Sequence, residues 1–160
     1  MTKITELTEV SSPVLNDLLV LVRNGTVTNS IQLQNMIERM LHSEASLIVL
    51  DKDTPLEQGT GLMYWPVPDI WHELEIVSVH FAVDEPSTSG STSIQVRNVT
   101  KGVNVLSTLP GAGVGQYNSF GSNPSILNGS IDRGDRLRVD ASSVGANVYG
   151  LVVMIKVKLL

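Results

Sequence analysis

Cysteine is absent from the 160 residues. Disulfide staples, thiolate catalysis and Cys-ligated zinc are therefore excluded together, and stability must come from packing or assembly. Basic residues are also scarce, with 11 Lys and Arg against 16 Asp and Glu and a net charge of -5. That balance argues against the polyanion-binding surface a nucleic-acid reader needs. The imbalance is uneven: residues 1–68 carry 4 basic and 8 acidic side chains, and residues 69–160 carry 7 and 8. No window approaches the roughly 18 apolar residues of a membrane span. The opening MTKITELTEVSS lacks the unbroken apolar run of a signal peptide. These absences predict a soluble protein made in a cytoplasm, with no nucleic-acid partner and no membrane insertion.

Catalytic constellations are missing as well. His42, His72 and His80 share no ligand spacing with one another or with a carboxylate, so neither a metal-activated water nor a nucleophilic triad has visible parts. The expectation is a protein that is not an enzyme, with no catalytic residues, no cofactor and no metal site. Asp132, Asp135 and Asp140 cluster in sequence. The first two read as turn residues and the third as a strand end, with a structural calcium at the turn as the minor alternative.

What the chain does have is apolar content of 42%, enough for one domain of ordinary size plus a short extra module. Residues 1–42 form that module. Leu18 to Val22 make an apolar strand, Asn24-Gly25 supplies a two-residue hairpin turn, and Thr26 to Thr28 begin a return strand. A helix is predicted to follow at once, capped by Asn29 with Gln32 at the capping-box position. Leu33, Met36, Ile37, Met40 and Leu41 lie along one face of it. The expected module is strand, turn, strand, helix.

Residues 43–68 read as a connector in which Leu47 to Leu50 form one short strand before the turn-rich DKDTPLEQGTG and the Pro66/Pro68 pair. Beyond it, in residues 69–160, the period becomes two. Val77, Val79, Phe81 and Val83 alternate with Ser78, His80 and Ala82, and Leu151, Val153, Ile155, Val157 and Leu159 share one face. SIQVRNVT, VNVLSTL and DRLRVDA add strand-length segments bounded by Gly, Ser, Asn or Pro. The predicted fold class is mainly β, an antiparallel sandwich or jelly roll preceded by the small anchor module.

Several short motifs have plainer readings. Arg133-Gly134-Asp135 spells an integrin-binding tripeptide, but Gly-Asp before an alternating strand is ordinary turn composition. The glycines of Gly111-Ala-Gly113-Val-Gly115 follow Pro110 rather than a strand and lack the Lys-Ser/Thr of a phosphate loop. Asn24, Asn98 and Asn128 head sequon-like triplets that carry little weight without a signal peptide. The segment from Gly111 to Ser130 is a long loop, and loops of that length often bind something. Tyr117 and Phe120 are its aromatic anchors, and Asn118 and Asn123 its adaptable polar groups. Two readings stay open: a surface glycan stacks there, or the rings pack between subunits.

The opening ITELTEVSSPVLNDLLVLVRNGTVTNSIQLQNMI resembles the N-terminal segment of tailed-phage tail fibres and other virion appendages, through Ile4 and Leu7, Asp17, Leu18 to Val22, Gly25-Thr26 and Ile31 to Met36. The second half is similar to the small jelly rolls of phage fibres and capsid decoration proteins. Gly134-Asp135, Leu137 to Val139, Gly145 and Gly150-Leu151 carry that likeness. The resemblance implies a bacteriophage virion protein, assembled in the host cytoplasm and docked through its N-terminus. Leu18, Leu19, Val20, Leu21, Val22, Leu33, Met36 and Ile37 would be the attachment residues. It also implies a homotrimeric jelly roll, with the baseplate, tail or major capsid protein and a host glycan as further partners.

Three functions follow as expectations: a short trimeric tail fibre for host adsorption, a capsid decoration protein, and, more weakly, a stand-alone carbohydrate-binding module. The plainer alternative for residues 1–42 is an extra layer on their own sandwich.

Overall fold

A computed structural model describes residues 18–23, 26–32, 42–71 and 73–159. The chain divides into two compact units, Met1–Leu41 and His42–Leu160.

The first unit contains a hairpin in which β1 (Leu18–Arg23) pairs antiparallel with β2 (Thr26–Gln32). Arg23 pairs with Thr26, so two residues separate the strands, as the Asn24-Gly25 signal predicts. The return strand runs further than expected. Asn29, Ser30, Ile31 and Gln32 pair with Leu21, Val20, Leu19 and Leu18, which replaces the predicted helix start at Asn29 with strand. The physical reason is that Thr26, Val27, Thr28 and Ile31 favour extended backbone, and the apolar run opposite offers a ladder for the backbone groups that face it. Leu33, Met36 and Ile37 lie outside the described residues.

The second unit is built from antiparallel strands, and no helix occurs among the described residues. One sheet has the order β11 (Ser130–Ile131), β5 (Leu74–Ala82), β13 (Tyr149–Leu159), β3 (His42–Pro55). The other runs β4 (Gly59–Pro66), β12 (Arg136–Ser143), β6 (Thr92–Asn98), β7 (Val103–Asn104). In the second sheet β9 (Gly111–Ala112) also pairs with β6, while β8 (Leu106–Thr108) pairs with β10 (Ser125–Ile126) as a separate ribbon.

Residues 43–68, read from sequence as a connector, thus supply β3 and β4, one strand to each sheet. Their pattern misled because register shifts break the alternation. The β3 ladder slips between Tyr149/Leu151 and again between Leu151/Val152, so Leu47 alone of LIVL is fully buried.

One buried cluster draws on both sheets, with Ile76, Val79, Phe81, Leu151, Val153, Ile155 and Val157 from the first and Ile94, Val96, Leu137 and Val139 from the second. β6 alternates without a fault. In β5 the register shifts opposite Lys156/Val157, so Ile76 and Val79 are both wholly buried and Val77, expected in the core, is only half-buried. Leu159 stays 47% exposed at the end of its strand. Trp65 and Trp71 close one part of the core edge to face, with ring centroids 5.2 Å apart.

Candidate functional site

Chain topology brings the 113–124 loop against the outer edge of β5, opposite the edge that β13 occupies. Asn118 bridges to Ala82, the Val83 amide donates to the Tyr117 carbonyl at 2.8 Å, and Ile76 is held by Gly129 further along. Ser119 is the pin. Wholly buried, it accepts the Phe81 amide on Oγ at 2.9 Å, and its own amide donates to the Phe81 carbonyl at 2.9 Å. His80 Nδ1 approaches the Ser119 carbonyl at 3.2 Å, and Ser122 Oγ donates to the same oxygen at 2.6 Å. A segment that reads as a long irregular loop is therefore held in one place by the sheet it covers.

The structure divides the four loop residues singled out from sequence. Tyr117 and Phe120 are 58% and 59% exposed, so both rings face outward in this chain. The Phe120 ring stands edge-on to His80, centroids 5.4 Å apart. Asn118 is half-buried, and its Oδ1 accepts the Phe120 amide at 3.1 Å, which commits that acceptor to the loop itself. Asn123 is exposed. Tyr117 turns instead toward a groove of about 630 Å³ lined also by Glu85, Thr88, Val114 and Asn147.

Val114 belongs to the loop already singled out, whereas Glu85, Thr88 and Asn147 carried no sequence signal, because three separate turns meet only after the sheets close. Backbone bonds knit the turns together. Gly115 donates to Ser87 at 3.0 Å, Thr88 donates to Ala146 at 3.0 Å, Ala146 donates to Ser89 at 2.9 Å, and Glu85 and Tyr149 exchange both bonds. A close approach makes the last contact between turns: a Cβ on Gly145 would lie 2.7 Å from the Ser89 carbonyl oxygen and 2.8 Å from Ser87 Oγ.

On the outer face of the second sheet a polar depression of about 480 Å³ is lined by Gln58, Gln95, Asn104, Arg138 and Asp140, among others. Arg138 Nη2 donates to Asp140 Oδ2 at 2.7 Å, and the Gly61 amide donates to Oδ1 at 2.7 Å. The hydrogen bond to Asp140 raises the Arg138 pKa above its ordinary value. Both charges are thereby spent on each other. Arg136 lies over the Tyr64 ring at 5.1 Å.

The Arg-Gly-Asp tripeptide is a turn. Asp135 is 5% exposed, and its Oδ2 accepts Asn98 Nδ2 at 2.8 Å and the Asp132 amide at 3.1 Å. Lys101 Nζ stands 3.1 Å from Asp132 and 3.3 Å from Asp135, so an ammonium sits where a cation would have to bind. Asp140 is on a different face, inside β12 rather than at its end. No group of three or more metal-ligating side chains occurs among the described residues. Gly111-Ala112, the start of the glycine-rich run, pairs with Ser93 and Thr92 as β9.

No protein-family model, curated protein or solved structure matches this chain.

Proposed function

We propose that the chain is a structural protein of a tailed-bacteriophage virion, a short trimeric tail fibre that docks through its N-terminal unit and displays a jelly roll to the host surface. The observation that carries this reading is strand order. Counting β3, β4, β5, β6, β7, β11, β12 and β13 as strands one to eight, the sheets run 6-3-8-1 and 2-7-4-5. With the short strands β8, β9 and β10 set aside, consecutive strands from β3 to β6 and from β11 to β13 alternate between sheets, which supports reading the fold as a jelly roll of the kind found in viral capsid and lectin domains. Fold alone does not fix function, so the reading rests equally on two further features.

The first is the hairpin of β1 and β2. An isolated two-stranded hairpin is marginal in water, which suits a segment completed by a docking partner. The second is the outer face of the β3/β13/β5 sheet. Ile48 is 68% exposed and pairs across to Val152, which pairs in turn with Ala82. Leu151 and Val153 are buried, so Val152 faces the other way. Exposed Ile48 beside half-buried Val152 and Ala82 supports association with further copies.

Capsid decoration is the second reading, favoured by the lack of any fibrous repeat in the 160 residues. Electron microscopy of purified particles carrying a labelled copy tests both. Label at the tail tip supports the fibre, label on the head lattice supports decoration, and unlabelled particles refute the virion assignment.

A further inference from the structure

The groove beside Tyr117 has features that bear on what the proposed display surface would recognise. Its aromatic wall is a tyrosine ring more than half exposed, presented by a loop whose carbonyl is fixed to Val83 at 2.8 Å. Val114, 60% exposed, adds an apolar patch alongside. Opposite them stand a carboxylate, a hydroxyl and an amide, from Glu85, Thr88 and Asn147. Asn147 Nδ2 donates to Thr88 Oγ1 at 3.0 Å, and this orients the amide with its oxygen free of that bond. No Lys or Arg lines the groove, and Asp84 next to Glu85 is also exposed.

We propose that this groove is a binding site for a neutral saccharide, an inference that rests on the reading of the jelly roll as a display domain. A pyranose ring has one face of C–H groups and a rim of hydroxyls. The first matches the Tyr117 ring and Val114, and the second matches a carboxylate acceptor and an amide that both donates and accepts. Charge decides the class. With the Glu85 carboxylate at the groove and no Lys or Arg on its walls, sialic acids, uronic acids and phosphorylated sugars meet like charge, whereas hexoses and N-acetylhexosamines do not. The volume of about 630 Å³ lies in the range of small-ligand sites. The backbone bonds across the three turns hold the groove open before any ligand arrives, so little ordering opposes binding. Phe120, engaged edge-on with His80, and Asn123 fall outside the groove.

The test uses the full chain on an array of neutral and acidic oligosaccharides, with titration calorimetry on those retained. Neutral sugars are expected to bind and their acidic derivatives to be excluded. Tyr117→Ser should weaken binding about tenfold, Tyr117→Trp should restore it, and Phe120→Ser should leave it unchanged. Asn147→Gly keeps the left-handed backbone (φ 60) and removes the amide with its exposed bond to Thr88, so it should weaken binding at little cost in thermal stability. Retention of acidic sugars alone, no binding to any sugar, or neutral binding indifferent to Tyr117→Ser each overturns the site. Adsorption of particles lost with Phe120→Ser but not with Tyr117→Ser would keep the display reading and refute this groove. Neutral-sugar binding through Tyr117 by a protein absent from particles would keep the groove and refute the virion.

Discussion

Ser119 and Phe81 exchange two hydrogen bonds of 2.9 Å, one through the serine side chain and one through its backbone, with both residues wholly buried. The pair decides whether the 113–124 loop is a fixed surface or a loose one. Ser119→Ala removes the acceptor of the buried Phe81 amide and should cost about 1–3 kcal/mol of stability. Chemical denaturation measures that loss. Hydrogen exchange should show amides of the loop losing protection before those of β13.

Gly145 should tolerate no side chain, since even a methyl group would press on Ser87 and on the backbone oxygen of Ser89. Gly145→Ala is expected to destabilise by about 1–3 kcal/mol, as overpacking does. It should also part the Thr88 and Ala146 segments that floor the Tyr117 groove. Gly134→Ala is the control. It has a left-handed φ of 79 and nothing near its Cβ, so only the backbone term, about 1–2 kcal/mol, applies. Thermal melts should show both losses, and saccharide binding only the first.

Alternation made β6 and the run from Leu151 to Val157 in β13 legible, since every second residue is buried there, but it could not mark β9, β10 and β11, two residues each, in and at the end of the segment read as a loop. It failed where the ladder slips. The bulge in β5 carries Ile76 into the core in place of Val77, and two slips in β3 disguise a 14-residue edge strand as a connector. The helix start read at Asn29 misled for a related reason. Ile31 and its β-branched neighbours also fit a ladder, and pairing with Leu18 to Leu21 decides between the two periods. The loop was legible as a surface carrying Tyr117 and Phe120. Its partners Glu85, Thr88 and Asn147 were not, because only the winding of the sheets brings three turns together.

Asn98 is wholly buried, with its amide on Asp135 and its Oδ1 accepting the Lys101 amide at 3.0 Å. Asp135→Ala should leave Asn98 Nδ2 without its acceptor and lower stability by about 1–3 kcal/mol. Lys101 adds a pH dependence. Burial lowers its pKa, but hydrogen bonds and charge from Asp132 and Asp135 outweigh that and leave it above 10.5. A raised lysine pKa stabilises the fold fully below 10.5 and ceases to do so as pH rises through the folded value. Partial exposure of the ammonium keeps the effect small. Melts of the wild type should fall off above pH 10.5, and Lys101→Met should flatten that part of the profile.

If the outer face of the β3/β13/β5 sheet joins copies, a charge in its apolar row should separate them. Ile48 is exposed in the single chain, so Ile48→Glu should leave the melting temperature of the separated chain within a few degrees of wild type, as surface changes do. Light scattering should report a trimer for the wild type and a monomer for the variant. A monodisperse wild-type monomer at micromolar concentration would sink the trimer altogether.

Residues 1–41 form their own compact unit, so the two-sheet unit of residues 42–160 should fold without them. Deletion of the segment is expected to leave the far-ultraviolet β signature and the oligomeric state intact and to abolish incorporation into particles. Leu21→Asp should act as the deletion does. It sets a carboxylate in the apolar run of β1, and burying that charge against a docking surface costs several kcal/mol. The decisive observation is which property fails. Loss of incorporation with residues 42–160 still folded makes the hairpin an attachment device, whereas their unfolding makes it a layer of the domain's own core and removes the main argument for docking.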